Sequence, residues 1–206
     1  MKDTMTALPT AEQLENELHR TRYRKRYRRI LRSTIYSLIT VAAIAVLVAT
    51  LLMPVLQIYG SSMTPTLSDQ DIVLSFKTSK FETGDVVAFY YNNKVLVKRV
   101  IAQQGQWVEV TEEGDVYVGD TKDTMVLLEE PYLEEKAMGD CNIQFPYQVP
   151  ESRIFVMGDH RSISVDSRNT AVGCVAEEQL VGKLVFRVWP IPAFGNVELS
   201  NFYLKS

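Results

Sequence analysis

Between Thr34 and Met53 the chain runs for twenty residues without a charge, TIYSLITVAAIAVLVATLLM. As a helix rising about 1.5 Å per residue, such a run covers about 30 Å, the thickness of a bilayer's hydrocarbon core. A cleavable signal peptide also pairs basic residues with an apolar stretch, but its apolar region is only roughly 7 to 15 residues long and ends at a small-residue cleavage site. This run is longer and flows through Pro54 into Val-Leu-Gln-Ile-Tyr. It therefore reads as a lasting transmembrane anchor over 34–54, between a basic N-terminal segment over 1–33 and a body over 55–206.

The net charge of -3 conceals a division: residues 1–32 hold nine Lys/Arg against four Asp/Glu, and the remainder thirteen against twenty-one. The positive-inside rule then predicts a cytoplasmic N-terminus and a body outside. An acidic body lacks the basic stripe that a nucleic-acid surface needs, so no nucleic acid is expected as a partner. The two cysteines, Cys141 and Cys174, form neither a CxxC nor a zinc-spaced cluster. An oxidising compartment would permit them to pair, and spacing alone leaves that open.

The body is a series of short β-branched and aromatic runs. They are Asp71–Phe76, Asp85–Tyr91, Val95–Ile101, Trp107–Val110, Val116–Val118, Ile154–Met157 and Leu184–Trp189, separated by Gly, Asp, Asn and Glu. An all-β barrel or double-sheet domain is expected, with the less regular stretch from Thr121 to Pro150 as a surface excursion.

Candidate chemistry centres on Ser62, in the turn-like Tyr59-Gly60-Ser61-Ser62-Met63-Thr64-Pro65, and on Lys98, flanked by Leu96, Val97, Val100 and Ile101. A serine nucleophile needs a group to take its proton. A lysine serves only when burial lowers its pKa, because near 10.4 about one part in a few thousand is neutral at pH 7. On local pattern alone Lys98 reads rather as a lysine that snorkels to water or pairs with a carboxylate. His160 is the only body histidine. Its neighbour Asp159 is badly placed to orient it, since adjacent residues rarely aim at each other.

Four separated blocks tip this balance: Ser62-Met-Thr-Pro-Thr-Leu after an apolar helix, Gly84-Asp-Val-Val, Val97-Lys-Arg-Val-Ile, and Gly158-Asp-His-Arg-Ser-Ile-Ser-Val-Asp-Ser-Arg168. In this order they resemble bacterial type I signal peptidases, and the likeness extends to Val181-Gly182-Lys183. The resemblance implies an all-β fold of small antiparallel sheets in a barrel-like signal-peptidase/LexA-type core. It implies Ser62 as nucleophile, Lys98 as general base, Arg99 in a structural role, Ser164 orienting the base, and Asp166 with Arg168 as a bracing ion pair. It further implies no cofactor or metal. The partners would be preprotein signal peptides with Ala-x-Ala sites and membrane lipid, at a bacterial cell membrane crossed once. Gly60 departs from members that carry a hydroxyl residue there as an oxyanion donor, which leaves backbone N–H groups around Ser62. His160 replaces the family's usual Asn. Ile58, Tyr59, Met63 and Pro65 are open to two readings, lipid contact or core.

Two other functions compete. A self-cleaving LexA-type repressor shares the dyad but needs a DNA-binding domain, where this chain offers a basic tail and an anchor. A noncatalytic scaffold for surface-polymer assembly would make Ser62 and Lys98 dispensable.

Overall fold

The computed structural model describes residues 11–78 and 80–197. The first ten residues of the basic segment and the last nine of the body lie outside the described residues. The chain divides into two units, Met1–Ala49 and Thr50–Ser206.

Helix α1 spans Ala11–Leu52, so the helix predicted over the apolar run begins well before it and carries the whole basic run. The helix formers of Ala11–Leu18 and the Arg- and Lys-rich segment offer nothing that would break it. Its end is set by Pro54, which disfavours helical backbone at Met53. The helix is long and apolar enough to cross a membrane, and the side chains of its apolar window are exposed.

The second unit is built of antiparallel strands, as expected. The larger sheet contains β1 (Val55–Gln57), β2 (Ile72–Phe76), β3 (Val86–Tyr91), β4 (Lys94–Ala102), β9 (Arg153–Met157), β10 (Val175–Ala176), β11 (Leu180–Trp189) and β12 (Gly195–Asn196). Its order is β1-β2-β11-β3-β4-β9-β10, with β12 also on β11. The smaller sheet joins β5 (Trp107–Val110), β6 (Val116–Gly119), β7 (Val126–Leu127) and β8 (Tyr147–Gln148) in the order β7-β6-β5-β8. The sheets are not closed into a barrel. Irregularities at Leu184/Phe186, Arg187/Trp189, Leu180/Gly182 and Val100/Ala102 bend the larger sheet, but its path ends on two short strands, β1 and β10, that do not pair with each other.

A tight hairpin joins β3 to β4 through Asn92, at φ +51, and Asn93. Asparagine tolerates this left-handed conformation better than most residues. The hairpin sets Lys98 opposite Val87. Two apolar clusters fix the loops and sheets around that strand. Ile58, Met63 and Leu67 pack with Val73, Val86, Ala88 and Leu184, which seats the loop between β1 and β2 on the core. Ile101 and Ala102 pack with β5, β6, Phe155 and Met157, which ties the smaller sheet to the end of β4.

The segment from Thr121 to Pro150 is irregular between its short strands but is more than a surface excursion. Leu128, Glu130 and Val149 are buried, and the Tyr132 ring lies under the Arg99 guanidinium, 3.9 Å from ring centroid to Cζ.

Candidate active site

Ser62 stands in the loop between β1 and β2. Leu67 N–H donates to the Met63 carbonyl (2.9 Å), and both side chains are buried. Lys98 comes from the middle of β4. Its Nζ lies 2.7 Å from Ser62 Oγ, its only hydrogen-bond partner among the described residues. With Lys98 only 4 % exposed, burial lowers its pKa to about 8, against a partial upward pull from Asp166. Desolvation disfavours the ammonium, so about one lysine in ten is neutral at pH 7 rather than one in a few thousand. The local pattern of Lys98 left water or a carboxylate as alternatives; the structure gives it a serine.

The last motif block wraps this pair. Asp166 takes two hydrogen bonds from the Arg168 guanidinium, Nε to Oδ1 and Nη2 to Oδ2, each 2.8 Å, and both side chains are fully buried. Burial alone would raise the Asp166 pKa, but Arg168, the Gly158 N–H (2.9 Å) and the Ser164 hydroxyl (2.7 Å) hold it below its ordinary value. Ser164 Oγ thus donates to Asp166 and makes no hydrogen bond to Lys98 in this arrangement. Gly158 sits where Ser62 and Ser164 converge. A Cβ there would lie 2.5 Å from the Ser62 carbonyl oxygen and collide with the Ser164 side chain.

Two further buried arginines complete the wall. Arg99 donates to Asp159 through Nε (2.8 Å) and Nη2 (2.5 Å), to the Gly84 carbonyl (2.9 Å) and to Thr66 Oγ1 (3.0 Å), while Thr66 Oγ1 also donates to Asp159. Arg161 makes a two-pronged pair with Glu130 and donates to the Gly158 carbonyl (3.1 Å). Tyr132 donates its hydroxyl to Glu130 (2.5 Å). Glu130 is therefore buried, unlike the exposed Glu129, Glu134 and Glu135 near it in sequence. Sequence reading missed the Glu130–Arg161 pair; its members stand 31 positions apart, and a buried carboxylate among exposed ones carries no local signal.

Asp159 faces Arg99 rather than His160. The His160 ring instead meets Thr64, Nδ1 to Oγ1 at 2.9 Å. Gly60 takes φ +88, and its N–H donates to Asp69 Oδ1 at 2.8 Å. The Ser62 N–H has no protein acceptor among the described residues. Both cysteines are free, and burial raises the Cys174 thiol to about 11. Ile58 and Met63 belong to the core, whereas Tyr59 and Pro65 are exposed.

A cleft of about 90 Å³ opens beside the dyad, lined by Leu56–Gly60, Ser62, Met63 and Val95–Lys98. Strand β1 ends its sheet, and β4 pairs with β9 only from Arg99 onward. Among the described residues, two unpaired strand edges therefore border the cleft.

A serine hydroxyl bonded to a buried lysine amine, with this motif order around it, agrees with the comparison to known families: the model of "Signal peptidase, peptidase S26" matches residues 31–189. The chain belongs to the signal peptidase family S26. It is 37 % identical over 158 residues to signal peptidase IB of Staphylococcus aureus, covering 66 % of this chain and 78 % of the relative. It is 33 % identical over 168 residues to the chloroplastic thylakoidal processing peptidase 1 of Arabidopsis thaliana, covering 73 % of this chain and 46 % of that protein. This chain thus spans less than half the length of the plant relative. Among solved structures, a signal peptidase I from Enterococcus faecalis aligns with a TM-score of 0.40 at 26 % identity, over 51 % of this chain and 97 % of that one.

Proposed function

We propose that this member of the S26 family is a membrane-anchored serine endopeptidase that removes signal peptides from exported preproteins, with Ser62 as nucleophile and Lys98 as general base. The 2.7 Å contact between Ser62 Oγ and a buried Lys98 Nζ carries the reading. As Oγ attacks the scissile carbonyl carbon, the neutral amine takes its proton. The resulting ammonium returns that proton to the leaving nitrogen as the C–N bond breaks, which leaves an ester on Ser62. Lys98 then deprotonates a water that hydrolyses the ester. The unengaged Ser62 N–H is available for the oxyanion, in place of the hydroxyl that Gly60 lacks. Ser164, Asp166 and Arg168 form the wall behind Lys98; Ser164 borders the Ser62 carbonyl across Gly158 and, in this reading, helps orient the base, while the ion pair fixes the loop.

Specificity follows from the cleft. An extended peptide can add as a strand against β1 and the first half of β4, placing alternate side chains inward. A small apolar cleft suits the small residues of an Ala-x-Ala site. The three segments then follow as a cytoplasmic 1–33, a span over 34–54 and an extracytoplasmic catalytic 55–206 at a bacterial cell membrane, with the basic flank setting orientation. Exposed Tyr59, five residues past Pro54, is a contact for lipid. A noncatalytic scaffold is disfavoured because burying a lysine against a serine is costly and serves no binding purpose.

The test is incubation of the detergent-solubilised protein with a purified preprotein bearing an Ala-x-Ala site, followed by reading the new N-terminus. Cleavage after the second Ala by wild type, absent in Ser62→Ala and Lys98→Ala, supports the proposal. Failure of wild type to cut any of several preproteins returns the scaffold reading.

A further inference from the structure

The basic part of α1 has an unbalanced face. Lys25, Arg28, Arg29 and Arg32 are spaced i, i+3, i+4 and i+7, so they stack on one side of the helix and line a shallow groove with Ser33 and Tyr36. All four are exposed. No Asp or Glu occurs between Glu17 and Asp69, so no carboxylate along the helix offsets them, and like charges at this spacing repel. An anion would relieve that repulsion. The uncharged run begins at Thr34, which sets this groove at the edge of the span, where headgroup phosphates lie. We propose that it binds the phosphate of anionic lipids, a deepening of the membrane-spanning reading above.

The test is native mass spectrometry of the full chain released from detergent after exposure to phosphatidylglycerol, phosphatidylcholine or inorganic phosphate. Wild type is expected to retain phosphatidylglycerol several-fold over phosphatidylcholine, and Arg28→Gln/Arg29→Gln/Arg32→Gln to lose that preference while keeping its helical circular dichroism. Equal retention of the two lipids, or an unchanged preference in the variant, overturns the proposal. Retention of inorganic phosphate as good as that of phosphatidylglycerol overturns its lipid assignment. Proteolysis of sealed vesicles, reading whether the basic segment is protected, separately reports a failure of the membrane-spanning reading.

A second inference rests on a different observation, the two hydrogen bonds by which His160 holds the nucleophile's turn. Its backbone N–H donates to the Ser62 carbonyl (3.1 Å). Its Nδ1 meets Thr64 Oγ1 (2.9 Å), and the Thr64 hydroxyl donates to the Ser61 carbonyl (2.9 Å). With its one hydrogen directed to Ser61, Thr64 Oγ1 must accept from Nδ1–H. The ring therefore anchors the turn through Thr64, and we infer that His160 is a positioning residue that fixes Ser62 Oγ against Lys98 without touching substrate.

Two groups that act through one bond should give non-additive losses. His160→Ala and Thr64→Val are each expected to lower kcat by roughly tenfold to a hundredfold, with KM changed much less and the double variant no worse than the worse single. His160→Asn, whose amide N–H can replace Nδ1–H, is expected to restore most of kcat. Additive losses, or an Asn variant as slow as the Ala variant at equal thermal stability, overturn the inference.

Discussion

Replacing Lys98 with methionine should abolish cleavage and stabilise the protein near neutral pH. Burial brings Lys98 from the ordinary range near 10.4 to about 8. At about 1.36 kcal/mol per pKa unit, the folded state gives up about 3 kcal/mol by holding this amine when the unfolded chain would keep it protonated. The folded pKa lies below the unfolded one, so the unfolded state binds the extra proton between the two values. The penalty is therefore full below pH 8 and fades as pH rises toward 10.4. Methionine has a similar length, no charge and good tolerance of apolar surroundings. It loses the contact with Ser62 Oγ, worth about 1 kcal/mol, which leaves a net gain of about 2 kcal/mol at pH 7. For a domain of this size that raises Tm by roughly 4 to 8 °C. Thermal unfolding of both proteins in the same detergent, at pH 7 and at pH 10, reads it. The advantage of Lys98→Met should shrink or reverse at pH 10. Equal stability at pH 7, or an advantage that grows with pH, would refute the reasoning about the buried amine.

Lys98→Arg should be as inactive as Lys98→Ala, each at least about 10³-fold below wild type, because a guanidinium stays charged throughout the working range; substantial turnover by the arginine variant removes the general-base role. Asp166→Asn leaves the Arg168 guanidinium buried without its counter-charge and should destabilise the fold by about 3 to 5 kcal/mol, read by thermal or denaturant unfolding, whereas a loss below about 1 kcal/mol would show that the pair is dispensable. Gly158→Ala places a methyl against the Ser62 carbonyl and the Ser164 side chain and should lower kcat about 10²-fold with a smaller change in KM; near-normal kcat would mean that this close approach does not set the dyad geometry.

The parts that could be read from the sequence are those whose signal is local or carried by family motifs. Continuous runs rich in β-branched and aromatic residues, such as Asp85–Tyr91 and Val95–Ile101, became β3 and β4 almost residue for residue, since four or five consecutive buried positions leave a mostly apolar run in each strand. Strands of two residues, such as β7, β8 and β10, are too short to carry such a run. They exist because neighbouring strands offer them hydrogen bonds. The closeness of Ser62 and Lys98 came from motif order, and apolar flanks alone did not single out Lys98. Of the wall around them, the Asp166–Arg168 pair was expected from the motif, while the remaining contacts escaped notice for the same reason as the short strands. Thr66 with Asp159, Thr64 with His160 and Tyr132 under Arg99 are pairs made by the folded sheet, from residues that look ordinary in their own neighbourhoods. The anchor was read from its lack of charge, while the extension of its helix back to Ala11 depended on propensity across a charged segment.

The dependence of kcat/KM on pH, measured from about pH 5.5 to 9.5 with an Ala-x-Ala preprotein, tests the central claim most directly. A buried neutral lysine predicts a rate that rises through a single transition near pH 8, with Ser62→Ala and Lys98→Ala at background throughout. A profile flat into acid, or a transition that persists when Lys98 is replaced, would contradict the dyad and move the base elsewhere.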